Sequence, residues 1–105
     1  MSEAQAVRFP VTGTVTFDNL IEIRRAGEAA IAEAADGVTF DLSGLAQGNS
    51  AAVAVLMAWF RAADRQDKTV SFVGVPAELE SIIELSGLTD VLPLERAPQP
   101  TAQQT

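Results

Sequence analysis

The sequence predicts an α/β fold in which about three helices pack on a mixed sheet of four to five strands. The first observation behind this prediction is the order of the segments, because strand-like and helix-like patterns follow one another as β-β-α-β-α-β-α-β. The second is size, since 105 residues, 48% of them hydrophobic, suffice for one core and not for two. Strands that alternate with helices need crossover connections, which favour parallel pairing in much of the sheet.

The first third of the chain is predicted to hold a flexible arm over residues 1–6, two short strands over residues 7–10 and 11–17, and a helix over about residues 19–35. Apolar residues stand at alternate positions of the strand segments, namely Phe9, Val11, Val15 and Phe17. Gly27 falls in the middle of the helix, where glycine costs about 1 kcal/mol relative to alanine. We therefore expect Gly27 to permit close contact with a neighbouring element.

The stretch over residues 38–60 organises the rest of the predicted fold. It begins as a buried strand, with apolar residues at the alternate positions Val38, Phe40 and Leu42. A polar, glycine-containing turn follows, and Asn49 is a suitable N-cap for a helix that no Gly or Pro interrupts. This order predicts that residues 48–52 are exposed at the edge of the sheet, and we interpret them as the working surface.

The last third is predicted to contain a strand over residues 69–73, a helix over about residues 77–86 and a short strand around Val91 and Leu92. A single domain would then cover residues 7–94. Residues 95–105 are rich in Pro and Gln and lack an apolar period, which predicts a disordered tail.

Composition and charge exclude several classes of function. The 7 basic residues are scattered, and with 14 acidic residues they leave a net charge of −7, which argues against nucleic acid and anionic membrane partners. The chain has no Cys and no His, so we expect no thiolate chemistry and no metal site. Neither a phosphate loop nor a dinucleotide fingerprint is present, so we expect no cofactor. The longest apolar run, residues 51–60, is about half of a membrane span, and the N-terminus has no apolar signal segment, which predicts a cytoplasmic protein without membrane insertion.

Acidic residues are the candidates that remain for catalysis. Asp41 follows the core of the central strand, and three glutamates share the last helix, namely Glu78, Glu80 and Glu84. We favour structural roles for them: Asp41 would bond the turn that follows through Ser43 or Gly44, and the glutamates would form a solvated face. An enzyme that uses these carboxylates is the least favoured hypothesis.

The central helix offers candidates for protein contact. Trp59 and Phe60 are adjacent, so they point in different directions; both are covered by flanking helices, or Trp59 or Met57 lies at a protein interface. Ser50 also allows two interpretations. It either helps to start the helix, or it presents a small hydroxyl at an exposed helix N-terminus that a partner approaches closely.

These residues resemble the STAS domain family. The family pattern is a strand that ends in D-[LF]-S, then D-[ST]-[SAG]-G before an apolar helix; here residues 40–45 read FDLSGL and residues 49–53 read NSAAV. Residues 72–88 are similar to the next strand and helix of the family, F-x-G-V-P-x-x-L-x-x-I-x-x-x-[GS]-L. The resemblance covers about residues 11–94 and implies a small STAS-like fold.

Two soluble branches of this family imply different partners. Anti-sigma-factor antagonists are switched by phosphorylation of the second Ser of D-S-S-G, a position that Ala51 occupies here. The STAS subunits of Mla-type phospholipid ABC transporters tolerate N-S-A-G and turn their Ser or Thr toward the ATPase subunit. The resemblance to that second branch implies a non-catalytic regulatory subunit, peripheral to the inner membrane through the complex, that supports outer-membrane lipid asymmetry. The implied partner-binding residues are Gly48, Asn49, Ser50, Ala51 and Val53.

Overall fold

A computed structural model describes residues 7–96 of the chain. The predicted arm over residues 1–6 lies outside the described residues, as does residue 97 onward of the predicted tail. In the described part the elements follow one another as β1 (Val7–Gly13), α1 (Leu20–Glu33), β2 (Gly37–Leu45), α2 (Ser50–Arg65), β3 (Thr69–Val75), α3 (Ala77–Leu85) and β4 (Leu94–Arg96).

The described strands form one sheet in the order β1-β2-β3-β4, and all three pairings are parallel. The predicted mixed sheet is therefore wrong. Three strands of seven to nine residues make up most of the sheet, and β4 adds only three residues at one edge. The described sheet therefore has three long strands and one short edge strand, fewer long strands than the four to five predicted. The segments predicted as two N-terminal strands form only β1, whose register shifts between Pro10 and Thr12. The last strand lies at β4 and not at Val91 and Leu92.

The sequential strand order explains why the two faces of the sheet differ. Parallel neighbours in sequential order, joined by right-handed crossovers, place their helices on the same face. Alternate residues of β2 follow this division, since Val38, Phe40 and Leu42 are buried whereas Thr39 and Asp41 are only half-buried. The strand pattern predicted for this segment is confirmed, and the opposite face is polar because no helix among residues 7–96 covers it.

Trp59 of α2 joins the sheet to α1. Its ring is fully buried and stacks on Phe40 of β2 with ring centroids 4.1 Å apart and planes 6° from parallel. Its Nε1 donates a hydrogen bond to the carbonyl of Arg24 in α1 at 2.9 Å. The hypothesis that Trp59 lies at a protein interface is therefore wrong, while Met57 and Phe60 are half-buried and pack against the core.

Gly27 allows α1 to approach this ring. A Cβ atom at position 27 would lie 2.2 Å from Cε2 and Nε1 of Trp59, far inside van der Waals contact. The expected close contact at Gly27 is thus confirmed. The loss of helix propensity at this position is offset by the burial of an aromatic ring between two helices and the sheet.

We expect Gly27→Ala to destabilise the fold by about 1–3 kcal/mol, although alanine is the better helix former, because the ring of Trp59 has no room to move. Urea denaturation measures this change. Ala29→Gly, at an exposed position of the same helix, is the propensity control and should cost about 1 kcal/mol. In a Trp59→Leu background the penalty of Gly27→Ala should disappear; a stabilising Gly27→Ala in the wild-type background would contradict the packing described.

Candidate functional site

The candidate site lies where α2 begins, at the carboxyl edge of the parallel sheet. Asn49 caps this helix, as predicted: its Oδ1 accepts a hydrogen bond from the backbone N–H of Ala52 at 2.8 Å. Its Nδ2 donates to the carbonyl of Val15 at 2.9 Å. The two bonds fix the first turn of α2 against the segment that joins β1 to α1.

Asn19 orders that joining segment in the same way. Its Oδ1 accepts from the N–H of Thr16 at 2.7 Å and its Nδ2 donates to the carbonyl of Thr14 at 2.9 Å. Val15 points into the core, and Phe17 is left pointing into solvent with 84% of its surface exposed. Phe17 is therefore exposed on a turn whose shape is fixed by hydrogen bonds within the same segment.

The loop over residues 46–49 is held from the other side by α3. The N–H of Gly48 donates to Oε1 of Glu78 at 3.0 Å. A Cβ atom at Gly48 would lie 2.6 Å from the backbone nitrogen of Leu79, so only glycine fits this approach. Of the glutamates considered for catalysis, Glu78 therefore acts as a positioning residue for the loop.

The predicted partner-binding residues differ in what they expose. Ser50 is exposed, and Gly48 and Asn49 are half-buried. Ala51, Ala52 and Val53 point into the core, with 5%, 2% and 7% of their surfaces exposed, so the predicted exposure of residues 48–52 is wrong at Ala51 and Ala52. Of the five predicted partner-binding residues, Ser50 is thus the most accessible to a partner. The partner-binding role of the surface stays a prediction.

Sequence reasoning missed other exposed residues around Ser50. Ala54, one helical turn further along α2, is exposed, as are Ala46 and Gln47 in the loop. Ala54 follows Ser50 by four residues and so lies on the same face of the helix, which is the pattern from which it could have been predicted. All of these side chains are small or uncharged, so a partner can approach the backbone closely here.

A shallow cavity of about 250 Å³ separates the start of α2 from the β1–α1 segment. Its walls carry no charged side chain; they are Thr14, Val15, Thr16, Phe17, Gln47, Asn49, Ser50 and Ala51. Phe17 was assigned to a strand face from its alternation with Val15, so its place beside Ser50 was not foreseen. The signal against a strand was the Asp18-Asn19 pair, which is typical of a turn or a helix start.

Asp41 lies on the polar face of the sheet and has a structural role. Its Oδ1 accepts from the N–H of Ser43 at 3.0 Å and from the Ser43 hydroxyl at 2.7 Å, which confirms the predicted bond to Ser43, although Ser43 lies within β2 and not in a turn. Its Oδ2 accepts from Nη2 of Arg8 at 2.9 Å. The Ser43 bonds, with a smaller contribution from Arg8, lower the pKa of Asp41 to about 2. A carboxylate held ionised in this way is a poor general acid or base near neutral pH.

No three acidic side chains among residues 7–96 are grouped so that they could hold a metal ion. In the same part of the chain, every helix is too short or too polar to cross a bilayer.

Comparison with known proteins gives the family. A family model described as "Mlab, STAS domain" matches residues 2–94. The chain belongs to the STAS domain family. Among solved structures, this STAS domain is similar to the MlaB chain of the Acinetobacter MlaFEDB complex in its ATP-bound Vtrans2 conformation, with 31% identity, 84% of this chain and 93% of that chain covered, and a TM-score of 0.74.

A second solved structure is more distant. The unphosphorylated anti-sigma factor antagonist SpoIIAA is similar to this STAS domain with 16% identity, 95% of this chain and 86% of that chain covered, and a TM-score of 0.71. At this identity the likeness shows the shared fold. A comparison with curated protein sequences gives no match.

The hydrogen bonds of Asp41 predict a pH dependence of stability. Because the pKa of about 2 in the folded STAS domain lies below the unfolded value of about 3.9, this carboxylate stabilises the fold above pH ~4, and the stabilisation is lost as pH falls through about 2. Between these limits the free energy of unfolding should fall more steeply for the wild type than for Asp41→Asn. NMR titration of the carboxyl carbon gives the pKa directly: Ser43→Ala should raise it more than Arg8→Gln does, and an ordinary pKa in the wild type would contradict the hydrogen bonds described.

Proposed function

We propose that this STAS domain is a non-catalytic regulatory subunit that binds the cytoplasmic ATPase of an Mla-type phospholipid ABC transporter. In this role it would lie on the cytoplasmic side of the inner membrane and would support assembly and activity of the transporter in outer-membrane lipid asymmetry. The observation that carries the proposal is the exposed Ser50 hydroxyl on a fixed, uncharged helix start. The likeness to the MlaB chain of the MlaFEDB complex supports the choice of partner.

The chemistry of the surface fits binding rather than turnover. Gly48 and Ala54 lie near Ser50 with little or no side chain, so a partner can reach the hydroxyl and the first turn of the helix. A neutral hydroxyl can donate and accept a hydrogen bond within an interface without the cost of burying a charge. The fixed loop and helix start also leave little freedom to be lost on binding.

The alternative is an anti-sigma-factor antagonist, which the fold of SpoIIAA supports. A kinase-switched antagonist needs a hydroxyl at its acceptor position, and Ala51 offers a buried methyl group there. Incubation with an anti-sigma kinase, followed by intact mass measurement, separates the two hypotheses. Phosphate on Ser50 would favour the antagonist, whereas an unmodified chain that co-purifies with a transporter ATPase favours the regulatory subunit.

We expect Ser50→Glu to leave the fold intact and to weaken ATPase binding at least about tenfold. A carboxylate at this helix N-terminus is compatible with the helix dipole, but it would be buried without a partner charge in the interface. The measurement is co-purification and titration of the transporter ATPase with each variant.

Two variants at the same position act as matched controls. Ser50→Gln has nearly the size of the glutamate without its charge and should weaken binding less, while Ser50→Thr keeps the hydroxyl and should bind like the wild type. Circular dichroism checks that each variant is folded. Undiminished ATPase binding by a folded Ser50→Glu variant would refute the site.

A further inference from the structure

A second exposed feature adjoins Ser50 at the edge of the sheet. Phe17 is 84% exposed and Ile21, on the first turn of α1, is 53% exposed. Phe17 and Ser50 line the same cavity of about 250 Å³. A large apolar side chain as exposed as Phe17 at the rim of a cavity is typical of a protein contact, because its burial against a partner is favourable.

The phenylalanine is displayed on a fixed turn. Buried Val15 precedes it by two residues, and Asn19 bonds to the backbone of Thr14 and Thr16. The carbonyl of Val15 is also bonded to Asn49 at the start of α2. Phe17 therefore keeps a set position relative to Ser50, and such preorganised aromatic residues are frequent binding hot spots.

The charges beside Phe17 are negative. Asp18 follows it directly and Glu22 lies on the first turn of α1; both are exposed. On α1, Arg24 pairs with Glu28, and the exposed Arg25 lies one helical turn beyond Ile21 and Glu22, so Asp18 and Glu22 are the charged residues nearest to Phe17 along the chain. The surface combines an uncharged cavity, an outward aromatic ring and an acidic border.

We propose that Phe17 and Ile21 form a second contact for the partner that covers Ser50, and that this partner inserts an apolar side chain into the cavity between Phe17 and Ser50. The inserted segment carries Lys or Arg residues that face Asp18 and Glu22. This inference rests on the proposed function and names the chemistry of the ATPase segment that docks.

Two other occupants fit the surface less well. A second copy of this chain in a two-fold dimer would bring the same acidic border against itself, and like charges across an interface are unfavourable. An anionic lipid surface would be repelled by the same carboxylates and by the net charge of −7. A basic, apolar protein segment satisfies both the cavity and its border.

The test is the affinity of Phe17→Ser for the transporter ATPase, measured on the full chain. We expect Kd to rise at least about tenfold with no loss of folding, because the ring makes few contacts within its own subunit. Leu85→Ser is the matched control: Leu85 is 87% exposed at the last residue of α3, on the edge opposite to the helix N-termini. This control should bind within about twofold of the wild type.

The contribution of Asp18 and Glu22 is measured separately, through the salt dependence of the association rate. The double variant Asp18→Asn/Glu22→Gln should associate more slowly with the ATPase at low salt and should show a weaker dependence of the association rate on ionic strength. The wild type should lose association rate steeply as salt is raised. Equal salt dependence of the two proteins would overturn the basic character assigned to the docking segment.

The outcomes separate this inference from the proposed function. If Ser50→Glu releases the ATPase and Phe17→Ser does not, the second contact is overturned and the regulatory role stands. If neither variant weakens binding, both fail. An equal loss in Leu85→Ser, a shift of the free chain from dimer to monomer caused by Phe17→Ser alone, or Phe17-dependent binding to anionic vesicles would each overturn the docking proposal.

Discussion

The side-chain amide of Asn49 is the constraint on which the candidate site depends. Its oxygen caps α2 at Ala52, and its nitrogen holds the carbonyl of Val15, so one residue joins two segments that are far apart in sequence. Aspartate, the usual residue at this position of the family pattern, could accept from Ala52 but could not donate to Val15. The asparagine of this chain thus fixes the first turn of α2, which carries Ser50, relative to the β1–α1 segment, which carries Phe17.

The parallel, sequential sheet explains why the site is at this edge. Each helix follows the carboxyl end of a strand, so α1, α2 and α3 all begin at the same edge, where loops from three crossovers meet. Trp59 keeps α2 on the sheet through Phe40, and Gly27 lets α1 close over it. The core therefore fixes the position of the α2 N-terminus relative to the sheet. Asn49 and Glu78 hold the neighbouring loops in place by hydrogen bonds.

Local patterns predicted the parts of the fold that depend on local physics. The alternation in β2 and the capping preference of Asn49 need only near neighbours, and both predictions are confirmed. Strand direction and the end of β1 depend on pairing with distant residues, so the mixed sheet and the strand assignment of Phe17 were wrong. The sequence also could not show which aromatic of α2 enters the core, because the space for Trp59 is made by Gly27, which lies in another helix.

Hydrogen–deuterium exchange of the free chain and of its complex with the transporter ATPase tests the central claim most directly. If this edge of the sheet is the docking surface, backbone amides over residues 14–22 and 46–54 should exchange more slowly in the complex. Amides over residues 85–91, at the opposite edge, should exchange at unchanged rates. Protection confined to residues 85–91, or no protection over residues 46–54 in a stable complex, would contradict the account.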